Sequence, residues 1–121
     1  NPATGAFESV TSEVHPKDHV AQSEPWPYQL EGPGWENDKV AFRAYFDSRN
    51  GRDIYGKVTS RMVLDSIQLF GNYHVFDARW GMDVLKVGKS LGAGALAFLK
   101  NNQLVRFANV ENMRFELVSA G

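Results

Sequence analysis

Cysteine is absent from the 121 residues of this chain. That absence excludes a disulfide framework, a thiolate metal site and a cysteine nucleophile. It fits an exported bacterial protein as well as a cytosolic one. Histidine is scarce: His15, His19 and His74 are the three, and they lack the spacing of a zinc site, with Pro16 working against a helix across the first two. An excess of one charge is also missing. Thirteen Lys and Arg stand against 14 Asp and Glu, for a formal net charge of -1 with no run of like sign. This balance argues against nucleic acid or an anionic membrane as the main partner. No apolar stretch approaches the roughly 20 residues of a membrane-spanning helix, and no internal repeat is evident. What is present is enough chain for one domain with a modest core, carrying three Trp, four Tyr and eight Phe.

The patterning reads as all-β. Residues 1–27 are polar and weakly patterned and read as an extended N-terminal arm, which the two prolines of Glu24-Pro25-Trp26-Pro27 hold extended. Residues 28–121 read as an antiparallel β-sandwich domain. After the turn Glu31-Gly32-Pro33-Gly34, a period of two sets in. It puts Val40, Phe42, Ala44 and Phe46 on one face and Ala41, Arg43, Tyr45 and Asp47 on the other. The second face is a solvated sheet face, the commoner case, or the floor of a sugar-binding cleft. Asn50-Gly51 signals a turn, with Arg52 to Val58 as hairpin partner. Ser60 to Phe70 suits either a short helix or an irregular strand. Further strands are expected over Trp80–Gly88, Ala95–Lys100, Gln103–Ala108 and Met113–Ser119, with Asn101-Asn102 as a type I′ turn between the third and second last. Asn1 is not an initiator Met and a strand ends close to the last residue, which suggests a trimmed chain and leaves open a cut within a longer protein.

Few motifs carry chemistry. Gly88-Lys89-Ser90 resembles the end of a phosphate loop, but the partner glycine is missing and a strand, not a helix, follows. Gly92 and Gly94 are better read as places where backbone or substrate comes close. Asp47, Asn50 and Asp53 could offer oxygens to calcium, yet their spacing is not that of an EF-hand and turn capping accounts for them. The richest titratable cluster is Tyr73-His74 ahead of Asp77, Arg79 and Trp80. Histidine is suited to moving protons near neutral pH, and a cation such as Arg79 or Arg43 could neutralise a uronate. The plainer reading of the cluster is a surface turn with a packed Tyr and Trp.

The run Tyr28-Gln29-Leu30-Glu31-Gly32-Pro33-Gly34-Trp35-Glu36-Asn37-Asp38-Lys39-Val40 resembles the YxxEGPGWESD signature of a bacterial family known as domain of unknown function forty-eight sixty-one. The resemblance continues through Tyr45, Asp47, Arg49-Asn50 and Asp53 to Lys57, then through Tyr73-His74 and Trp80 to Gly92. Asn37 stands where Ser is usual, and Gly51 where an apolar residue is more typical. The resemblance implies exported components of polysaccharide-utilisation systems, a larger mutarotase-like sandwich, and members several times longer than this chain, so that the chain would be a fragment. It does not imply a settled chemistry.

Three functions follow as expectations for a periplasmic or secreted protein. The first is elimination on uronate-containing oligosaccharides, by a lyase or dehydratase, with His74, Tyr73 and Arg79 as catalytic residues and Trp35, Glu36, Asp38, Arg43, Tyr45, Trp80 and Lys86 binding substrate. The second is glycoside hydrolysis by two carboxylates among Glu31, Glu36, Asp38 and Asp83. The third is a non-catalytic carbohydrate-binding module, for which core packing of Trp35 and Trp80 is the competing account. None needs a metal or another cofactor. The expected partner is an oligosaccharide or polysaccharide, and an exposed edge strand would let two copies pair as a homodimer.

Overall fold

A computed structural model of the chain describes residues 12–16, 32–46, 49–67, 71–88, 90–108 and 112–119. Eight strands run in order: β1 (Ser12–Pro16), β2 (Gly34–Glu36), β3 (Val40–Ala44), β4 (Arg52–Lys57), β5 (Gly81–Asp83), β6 (Ala97–Lys100), β7 (Gln103–Arg106) and β8 (Asn112–Glu116). All pairings are antiparallel, and the described residues contain no α-helix, so the fold is all-β. β2 to β5 form a four-stranded meander; β1 pairs with β8 and β6 with β7 as separate two-stranded ribbons. β1 falls within the segment read as an arm. Asp47, Glu31, Phe70, Lys89 and the remainder of the arm, with His19 and Trp26, lie outside the described residues.

Local chemistry sets the turns. The β2–β3 hairpin is closed by Asn37, whose Oδ1 accepts the amides of Lys39 and Val40 at 2.8 and 3.0 Å. The expected Asn101-Asn102 turn forms, with both residues at positive φ (52° and 58°) as a type I′ turn demands. Gly92 is needed where it stands: at φ 65° its backbone approaches β4 so closely that a Cβ would sit 2.3 Å from the Arg52 carbonyl oxygen.

Two expected elements change on folding. The strand read over Trp80–Gly88 is confined to Gly81–Asp83. The carboxylate of Asp83 accepts the Leu85 amide at 3.0 Å and so offers the backbone a local bond in place of the ladder. The Ser60–Phe70 segment is not a strand where it is described: turns lead into a helical turn, the Ile67 amide donating to the Val63 carbonyl at 3.0 Å, with 3₁₀ geometry at Ile67. The Glu36 carboxylate accepts the Val63 and Leu64 amides, which have no partner at the head of that turn.

The polar face of β3 is buried throughout, while the other face is partly buried at Val40 and Phe42 and buried at Ala44 and Phe46. Ala41, Arg43 and Tyr45 are buried together with Asp53 and Tyr55 of β4 and Asp83 of β5. This corrects the expectation of a solvated face. Two features cause it. The neighbouring strands bring counter-charge into register, Arg43 opposite Asp53 and Tyr55 opposite Asp83. The long β4–β5 connection then folds back over that face, so that Val63, Ile67 and Trp80 pack with Ala41 and Tyr55 as the core, with Leu64 and Tyr73 against them. Phe46, just past β3, meets Phe115 of β8 edge to face at 6.1 Å and ties that ribbon to the meander.

Candidate functional site

The covered face of the meander holds an unusual density of ionisable groups for a domain interior. Arg43 and Asp53 form an ion pair, with Nε donating to Oδ2 at 2.9 Å, and are 3% and 1% exposed. Nη2 of Arg43 also donates to the Tyr45 hydroxyl at 2.8 Å, and the Tyr55 hydroxyl donates to Asp53 Oδ2 at 3.1 Å. The guanidinium lies 4.4 Å from the Tyr45 ring centroid and 5.8 Å from that of Tyr73. Burial works against the Arg43 charge, but Tyr55, Asp53 and Tyr45 around it outweigh that and hold its pKa above the ordinary value. Burial pushes the Tyr45 phenol up to about 12 and raises that of Tyr55 further, so neither phenol serves as a base near neutrality.

His74 joins this array from the β4–β5 connection. Its Nδ1 lies 3.2 Å from Asp83 Oδ2, yet both atoms are buried without a hydrogen-bond partner, because the contact is close but not aligned. Asn72 Oδ1 accepts the His74 amide at 3.0 Å, and the ring packs on Tyr73 with centroids 4.6 Å apart. The Asp83 amide donates to the Tyr73 carbonyl at 2.7 Å, which ties β5 to this turn. Burial raises the Asp83 carboxyl; the Leu85 amide pulls it down, Asp53 adds to the rise, and His74 and Arg43 oppose it. The Asp83 side chain is fully enclosed while that of His74 is 34% exposed. The imidazole therefore reaches from a buried carboxylate to the surface. Tyr73, on which the imidazole packs, also lines a hollow of about 260 Å³ with Asn72, Val75, Phe76, Asp77 and Trp80. Arg79 donates to both oxygens of Asp77, one of these lining residues, at 2.9 and 3.0 Å from Nε, which holds the Asp77 carboxyl down at about 2.

The structure thus brings Tyr73, His74 and Arg79 to one region and adds Arg43 and Tyr45 beneath it as supports. The other nominated residues lie elsewhere. Trp80 is 1% exposed and belongs to the core, so it offers no stacking surface. Lys86 is exposed on the loop after β5. Asp38 pairs with Lys39 at 2.9 Å on the exposed β2–β3 turn. Trp35 pairs across the hairpin with Phe42 on the opposite face of the meander, their rings stacked at 5.6 Å and 18°. It is half exposed and does not share a site with His74.

Glu36 takes a structural place. It accepts from Val63, Leu64 and Lys57 at 2.9, 2.9 and 2.6 Å, and the Lys57 side chain is fully enclosed. Glu36→Ala leaves that ammonium with the Asn37 carbonyl but without its counter-charge, strands two amides, and is expected to lower stability by about 3 kcal/mol. A urea titration checks this; an unchanged midpoint would refute the role.

Sequence reasoning missed two members of the array. Asp53 is named above only as a turn or cation ligand and Asp83 only as a glycosidase carboxylate. Hairpin register did not supply the signal: carried outward from a two-residue Asn50-Gly51 turn it sets Arg43 against Val58, whereas the strands pair Ala44 with Arg52 and Arg43 with Asp53. Asp83 could not be found that way either, because 23 residues of connection separate β4 from β5. Among the described residues no group of three or more His, Asp or Glu is arranged to hold a metal ion, and no helix is long and apolar enough to cross a membrane.

The sequence model of a family described as a domain of unknown function (DUF4861) matches residues 2–121. No curated protein and no solved structure matches the chain.

Proposed function

The chain belongs to the DUF4861 family, whose description assigns no chemistry, and we propose that it is a carbohydrate-active protein of bacterial polysaccharide degradation that processes uronate-containing oligosaccharides by elimination. The observation that carries this reading is the placement of His74, in contact with a buried carboxylate on one side and solvent on the other, and packed on Tyr73, which lines a hollow with both apolar and polar walls. In an elimination the base takes the proton from the carbon next to the uronate carboxylate. The C–H electron pair becomes a C=C bond to the next ring carbon, the bond from that carbon to the glycosidic oxygen breaks, and that oxygen takes a proton from water. His74 is the base in this scheme. Arg79, exposed and held by Asp77 of the hollow's lining, is the group that a substrate carboxylate can join. Arg43 is removed from the substrate-binding role and serves beneath the site, since Asp53 and Tyr45 occupy its guanidinium. A periplasmic or secreted location and a larger mutarotase-like sandwich belong to the same proposal.

The test is incubation with a panel of uronate-containing oligosaccharides, following ultraviolet absorbance and product mass together. Elimination predicts an absorbing product and fragments whose masses add up to the substrate. Fragments heavier by one water per bond, without absorbance, would replace the reading with hydrolysis.

A binding module is the second reading, favoured by the half-exposed Trp35 ring stacked on Phe42. Flat aromatic surface of this kind suits the apolar face of a sugar ring. On this reading Trp35→Ala weakens glycan affinity roughly tenfold, about 1.4 kcal/mol, in a calorimetric titration while the unfolding midpoint barely moves. Equal affinity in variant and parent would remove it.

A further inference from the structure

We infer that Asp83 is the positioning residue of His74: it keeps the imidazole proton on Nδ1 and leaves the unprotonated Nε2 at the exposed edge as the nitrogen that meets substrate. This rests on the reading of His74 as the base, but it can be tested without any substrate.

The argument begins with two buried polar atoms. Nδ1 of His74 and Oδ2 of Asp83 are 3.2 Å apart, are shielded from water and have no other partner. Leaving both unsatisfied is costly, so such a pair calls for an explanation. Neither can turn away. Asp83 sits in β5 opposite Tyr55, with its other oxygen, Oδ1, engaged by the Leu85 amide. The His74 ring is packed on Tyr73 and its backbone is fixed by Asn72. The smallest change that satisfies both atoms is a proton on Nδ1 and a slight rotation of the ring, and contacts of this kind often tighten only in the working complex.

Burial also fixes which nitrogen is left over. Nδ1 has no access to solvent, while a third of the side chain does, so the exposed edge is the one that carries Nε2. The proton on one ring nitrogen is set by the bond the other makes. With Nδ1–H facing Asp83, Nε2 keeps its lone pair. Arg43 and Asp53 on the adjoining strands, with Tyr55 and Tyr73, complete the surroundings of Asp83. The Arg43–Asp53 pair is satisfied within itself, so the donor left for Asp83 Oδ2 is the Nδ1–H of His74.

The experiment is nitrogen-detected NMR of the full chain labelled in its histidines, read above the imidazole titration. In the wild-type protein the Nδ1–H tautomer of His74 is expected to dominate. Asp83→Asn is then expected to reverse it. The new amide oxygen keeps the Leu85 bond, which turns the amide NH2 toward Nδ1 as a donor and drives the proton to Nε2. A dominant Nε2–H form in the wild type would overturn the inference whether or not the variant folds. An unchanged tautomer in a folded Asp83→Asn protein would overturn it as well. The Nδ1–H tautomer together with no turnover of any uronate would leave the positioning role standing and defeat the proposed activity alone.

Discussion

Asp53→Ala lowers the unfolding free energy by about 3–5 kcal/mol, the usual cost of stranding one member of a buried ion pair. A domain of this size holds only about 5–15 kcal/mol in all, so the variant stands near the edge of folding. The size of the loss follows from what is left behind. Arg43 is 3% exposed, and Asp53 is its sole carboxylate partner among the described contacts. The Tyr55 hydroxyl loses its acceptor at the same time. A guanidinium cannot shed its proton to escape, since its surroundings hold it charged. The check is a urea titration of the variant, and a midpoint equal to that of the parent would show the pair to be unimportant. Arg43→Met combined with Asp53→Leu removes both charges, and much of the loss is expected to return. Recovery of stability in the double variant would mean that the ion pair is not there for stability.

His74→Ala is expected to cut turnover of a uronate substrate by roughly 10²–10⁴-fold, the range for removal of a general acid–base group. The fold should survive, because the side chain is a third exposed and packs chiefly on Tyr73. Stability should nevertheless respond to pH. The Asp83 carboxyl is raised by burial, so folded protein holds that proton more tightly than unfolded protein. Its contribution is fully present below the ordinary value of 3.8 and is lost as pH climbs from there through the raised folded value. His74 opposes the rise, so removing the imidazole should enlarge the loss of stability at neutral pH. Parallel denaturation curves at acid and neutral pH measure this difference.

The legible parts of this chain are those governed by short-range chemistry. Asn101-Asn102 announced its turn through tolerance of positive φ, and the alternation from Val40 to Phe46 announced a strand. What could not be read was that the polar face of that strand is covered as well. An Arg and a Tyr at alternate positions suit water equally well, and only Asp53 and Asp83 arriving from β4 and β5 make the interior acceptable to them. Trp80 misled in the opposite way. As a Trp beside charged residues it suggested a stacking surface, but the Tyr55 ring and the folded-back connection enclose it. Glu36, next to the half-exposed Trp35, is drawn inward by Lys57 and the amides of a turn 27 residues ahead. These are long-range events, and local pattern carries no trace of them. The Tyr73-His74 cluster was visible because its residue types are suggestive by themselves. Its orienting carboxylate was not.

The most direct test compares wild-type and His74→Ala protein on one uronate oligosaccharide, with folding verified in both by the same denaturation curve. The account predicts an absorbing elimination product from the wild type, and a rate lower by at least about a hundredfold from an equally folded variant. Equal rates from the two proteins would contradict it, and would return His74 and Asp83 to the role of buried structure.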